Sequence, residues 1–137
     1  MIRRGTWVPL LPPHARNVVV GLVPIEPIVR GIDYILPGGE TAPQLTLVEA
    51  AAPMTFWGAL CLLAGIVALT GFWGRWRRVC AAGMWLGAAT YLTLAVGQWW
   101  EVVGHPWFDG VRGPAIVTIF GAAMAGIALG YARQEPE

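Results

Sequence analysis

Three long stretches without a charged residue constrain this chain more than anything else in it. Residues 50–74 give 25 uncharged positions, residues 79–100 give 22, and residues 113–132 give 20. A helix rises 1.5 Å per residue, so each stretch reaches about 30 Å, the thickness of a bilayer's hydrocarbon core. One such stretch would suit a buried helix of a soluble domain. Three within 137 residues would not, because a fold this small has too little interior to enclose three all-apolar helices. Only 12% of the residues are charged, against roughly 25% in soluble proteins. The fold class expected is therefore an all-α membrane protein with three transmembrane helices, at about 54–73, 79–99 and 114–132.

Local signals agree with those boundaries. Pro53 and Pro114 suit the first turn of a helix, where a missing N–H costs nothing. The short GRWRR stretch leaves room only for a tight turn, so the first two spans must be antiparallel neighbours. Trp73 and Trp76 fall at one end of these spans, and Trp57, Trp99, Trp100 and Trp107 at the other. Two bands of indoles one span apart are what the two lipid–water interfaces favour. Trp85 lies mid-span and reads as a packing residue.

Arginine placement then orients the chain. Arg75, Arg77 and Arg78 lie in the tight turn and Arg133 at the end of the third span, all on one side, whereas the opposite loop offers Arg112 against Glu101 and Asp109. The positive-inside rule puts the tight turn and C-terminus in the cytoplasm and the N-terminal segment outside. Arg3, Arg4, Arg16 and Arg30 would then lie outside too, offset by Glu26, Asp33, Glu40 and Glu49. For helix packing, Gly83 with Gly87 in the second span and Gly126 with Gly130 in the third have the small-residue spacing that lets backbones approach.

Residues 1–41 form a different region, rich in proline. It lacks the unbroken apolar core of a cleaved signal peptide. It is compatible with an extended path, a surface-lying segment, or short helices such as 14–22 and 25–35. Residues 42–137 are the helical membrane domain. Pro37-Gly38-Gly39 marks a turn, and Thr41 with Gln44 has the form of a capping box. A short amphipathic helix is expected at 42–52, leading into the first span.

The order GIDYILPGG, LTLVEAAAP, FWGAL, an arginine-rich turn and TYLTLAVG resembles small polytopic membrane proteins encoded by actinobacterial phages. The likeness covers roughly residues 30–98. Such genes tend to lie near tail or lysis genes, and some products are labelled membrane, minor tail or holin-like proteins. The resemblance implies a membrane role and brings no active-site residue.

Chemistry is sparse. Glu101, His105 and Asp109 are spaced four apart, but Gly104 and Pro106 interrupt the helix that would align them as metal ligands. The in-span polar groups Thr70, Thr90, Thr93, Gln98 and Thr118 can each bond to their own helix backbone. Cys61 and Cys80 read as small buried hydrophobes. No phosphate loop, nucleophile elbow or carboxylate pair is present, so no catalytic residue, cofactor or metal is expected. The arginine–tryptophan cluster of the turn suits a headgroup anchor better than a nucleic-acid grip, given its flanks.

The expected partners are the lipid bilayer, further copies of the chain, or other phage and membrane proteins. The expected function is that of a non-enzymatic phage-type integral membrane protein acting by insertion and helix packing or oligomerisation, either tail-associated or holin-like in host lysis. The alternative is a bacterial accessory subunit that scaffolds a partner protein.

Overall fold

The computed structural model describes residues 12–36, 47–104 and 111–133. Six helices follow in order: α1 (Pro13–Leu22), α2 (Ile25–Ile35), α3 (Leu47–Ala50), α4 (Met54–Trp73), α5 (Arg77–Gly104) and α6 (Arg112–Arg133). Among the described residues there is no strand. α4, α5 and α6 are long and apolar enough to cross a membrane. α4 matches its expected bounds. α5 is longer than expected, because nothing after Trp99 breaks the helix before Gly104; at 28 residues it is longer than a hydrocarbon core is thick. Pro53 caps α4, and Pro114 lies in the first turn of α6. Of the expected 42–52 helix, the described part is the four-residue α3; Thr41 and Gln44 lie outside the described residues.

α5 occupies the middle of the bundle, with α4 on one side and α6 on the other. The interior is built of small side chains, so the backbones come close. At one level Ala68, Cys80, Met84, Ala88, Met124 and Ala128 form a core with Val20. At the other, Trp57, Cys61, Tyr91, Leu94, Ala95 and Val117 form a second. Of the glycines expected to pack, Gly83 lies directly on the Ala68 backbone, and Gly87 lies under Met124 and Ala64. At Gly126 and Gly130, an added side chain would meet nothing within 4 Å among the described residues.

The N-terminal helices depart furthest from expectation. α2 runs antiparallel to α4, and the end of α1 meets the end of α4: Gly21 meets Phe72, Pro24 and Ile28 meet Gly65, and Gly31 meets Gly58 and Leu62. Tyr34 and Ile35 reach the start of α4 at Gly58. Residues 21–35 thus cover α4 from Phe72 back to Gly58. The break at Val23–Pro24 arises because Pro24 and Pro27 lack the N–H groups a continuous helix would need. The start of α1 therefore sits beside the tight turn, where Asn17 shares a cavity with Arg75 and Tyr131. As far as it is described, the chain begins and ends at the same end of the bundle.

That geometry can be checked directly. Cys61 and Cys80 are buried, so background thiol labelling should be low. Cysteines introduced at His14 and Trp76 should react from one side of the membrane, and a cysteine at Gly104 only from the other. Labelling of His14→Cys from the Gly104 side would refute the antiparallel run.

The tight turn itself ends α4 in a Schellman motif. Trp76 N–H donates to Gly71 C=O at 2.8 Å and Arg75 N–H donates to Phe72 C=O at 3.3 Å. The motif places one residue in the left-handed region, and that residue is Arg75, at φ 57°, although Gly74 is its neighbour. Arginine there costs about 1 kcal/mol that glycine would not.

Candidate functional site

A line of partly buried polar side chains links the helices of the bundle, and it begins on α2. Glu26, Arg30 and Tyr34 are four apart, so one face of the helix carries all three. Arg30 donates from Nε and Nη2 to Glu26 Oε1 at 3.0 and 2.9 Å. The second carboxylate oxygen of Glu26 accepts the hydroxyl of Tyr91, from the middle of α5. The Arg30 guanidinium also lies 5.4 Å from the Tyr91 ring centroid, within cation–π range. One turn further along, the Tyr34 hydroxyl donates to Glu49 Oε1 at 3.0 Å, tying α2 to α3.

Each member is placed by packing. Tyr91 has no exposed surface. Its ring is wedged among Trp57, Cys61 and Leu94, which leaves the hydroxyl facing α2. Gly31 and Gly65 let α2 press onto α4, which brings Glu26 within reach of α5. The opposite face of the N-terminal helices is aliphatic and exposed: Val18, Val19, Leu22, Ile25, Val29 and Ile32. Glu26, Arg30 and Tyr34 turn toward the bundle, while the outer face is mainly aliphatic with Asp33 exposed on it beside Val29.

Sequence reasoning missed this constellation. It counted Glu26, Arg30 and Glu49 as exterior charges that cancel, whereas Glu26 and Arg30 form an ion pair in the bundle and Glu49 is buried. The available signal was the i, i+4, i+8 spacing of Glu26, Arg30 and Tyr34 against an aliphatic face.

The other polar groups fall as follows. Thr70, Thr90, Thr93 and Thr118 hydroxyls donate to the carbonyls of Ile66, Leu86, Ala89 and Pro114, each four residues back in its own helix. Gln98 departs from that expectation: its Oε1 is buried with no partner among the described residues. Trp99 Nε1 donates to Thr118 Oγ1 at 2.9 Å, joining α5 to α6.

Among the expected interface anchors, Trp73, Trp76 and Trp100 are well exposed, as are Arg75 and Arg78; Trp99 and Arg77 are more covered. Trp57 is a correction: it is 8% exposed and packs in the core, because α3 and Tyr34 of α2 close over it. Trp85 is the reverse correction, 45% exposed on the outer face of α5. Trp107, His105 and Asp109 lie outside the described residues. Among the described residues, no three histidine, cysteine or carboxylate side chains gather in a metal-binding group.

The chain matches no family model, and neither a curated protein nor a solved structure matches it.

Proposed function

We propose that the chain is a non-enzymatic, phage-type integral membrane protein that crosses the bilayer four times, with α1 and α2 together as a broken first crossing. It acts as a self-contained bundle, in a tail-associated role rather than by opening the membrane. The observation that carries this reading is the inverted polarity of the bundle. Glu26, Arg30 and Tyr91 satisfy one another in the bundle, while the outer surface of α1 and α2 is mainly aliphatic, with Asp33 its one exposed acidic group among the described residues. Charged groups at membrane depth need such partners.

Four crossings also bring Arg16 to the same side as Arg75, Arg77, Arg78 and Arg133, which sharpens the positive-inside bias. A holin-like role would need a polar face to line a pore. Here the threonine hydroxyls are bonded to their own helices, and Glu26 and Arg30 are paired with each other. What supports the phage type is the sequence likeness over residues 30–98.

Expression in a bacterial membrane with a potential-sensitive dye tests the choice of role. The expected result is a maintained potential and continued growth. Prompt depolarisation would overturn the tail-associated reading in favour of the holin-like one. Mass spectrometry of purified particles should then detect the chain in the virion.

A further inference from the structure

The arginine-rich end of the bundle holds a cavity that the proposed role does not use. Asn17 of α1, Trp73 and Arg75 at the turn, and Tyr131 of α6 line a space of about 530 Å³. A second hollow of about 330 Å³ shares Asn17 and Tyr131, and continues between Arg16, Val20, Ile127 and Gly130. Val20 lies one turn deeper than Arg16, and Ile127 one turn deeper than Tyr131. The two hollows thus form one trough, cationic and aromatic at the rim and aliphatic below. The trough is open beside Gly130, which is exposed and has nothing within 4 Å of where a side chain would be.

Charge and strain both mark the rim. The carboxylates among the described residues, Glu26, Asp33, Glu49 and Glu101, all lie away from this end. Arg16 and Arg75 make no ion pair among the described residues. Arg75 holds a left-handed conformation that favours glycine, at a turn position whose side chain lines the cavity.

We infer that this trough binds the phosphate-bearing headgroup of an anionic phospholipid. Arg16 and Arg75 take the phosphate, Trp73 and Tyr131 sit at headgroup depth, and one acyl chain lies along Val20, Ile127 and Gly130. The inference rests on the membrane-spanning reading above. Inorganic phosphate would satisfy the arginines equally well but would leave the aliphatic floor empty, so the lipid is the better match to the whole trough.

Native mass spectrometry of the full chain in detergent tests this, with phosphatidylglycerol and phosphatidylcholine of the same acyl chains as probes. The expected preference for phosphatidylglycerol is about tenfold or more, since each arginine near a headgroup adds a factor of about five. Arg16→Gln with Arg75→Gly should abolish most of that preference. Gly130→Leu should weaken retention of both lipids. Neither change should lower the melting temperature, because glycine relieves the turn and a side chain added at Gly130 meets open space. Equal retention of the two lipids, or an unchanged preference in the double variant, would overturn the site. Displacement of phosphatidylglycerol by millimolar inorganic phosphate would overturn the lipid in favour of a free-anion site. The membrane reading fails separately, through the cysteine-labelling pattern of His14, Trp76 and Gly104.

Discussion

Glu26→Ala is expected to destabilise the bundle by about 3 kcal/mol, measured by reversible unfolding in mixed micelles. The carboxylate accepts two hydrogen bonds from Arg30 and one from Tyr91. Its removal leaves a guanidinium on the inner face of α2 without its anion, and an uncompensated charge is far costlier than the pair is worth. The pair itself is close to balanced, since taking two ions out of water offsets most of their attraction. The double replacement Glu26→Leu with Arg30→Met should therefore unfold within about 1 kcal/mol of the parent. That non-additivity is the signature of a direct pair. Tyr91→Phe, which deletes one interhelical hydrogen bond and nothing else, should cost about 1 kcal/mol. If Glu26→Ala unfolds like the parent, the charges are hydrated and the broken first crossing is wrong.

The second large effect separates two glycine pairs that look alike in the sequence. Gly83→Leu should cost about 3 kcal/mol or prevent folding, because the new side chain would start inside the backbone of Ala68. Neither helix can yield there: α5 lies between α4 and α6, and moving it opens both contacts. Gly126→Leu should change stability by less than about 0.5 kcal/mol, since nothing stands within 4 Å of that position. Leucine is also the better helix former. The same micelle titration measures both. A comparable loss at Gly126 would mean that α6 buries this face against another molecule.

Much of the architecture was legible because bilayer physics acts on composition. An uncharged run of 20 or more residues has few alternatives to a spanning helix, and α4 and α6 end within two residues of the spans read from those runs. The short helices around Pro24 were among the options open to the N-terminal region, but where they lie was not. A run containing Glu26, Arg30 and Asp33, and broken by Pro24 and Pro27, fails every test for a span. Those tests score each residue alone, and Glu26 is tolerable only because Arg30 and Tyr91 share its charge.

The distinction between Trp57 and Trp85 was hidden for a related reason. Both are indoles on apolar helices, and which one is covered depends on which neighbours arrive. Tyr34 of α2 and Val48 of α3 come to Trp57, while the Trp85 face stays open among the described residues.

By itself, the sequence determined that three helices are long and apolar enough to span a bilayer, that two of them form a hairpin about GRWRR, and that arginines gather at one end. These follow from sums over consecutive residues, which need no knowledge of partners. Only the tertiary structure decided that α2 lies along α4 and turns Glu26 toward Tyr91. It also decided that Gly83 packs while Gly126 does not, and that Asn17 and Tyr131 meet beside the arginine-rich turn. Each of these depends on pairs of residues far apart in the chain, whose energies exist only once the helices are in contact.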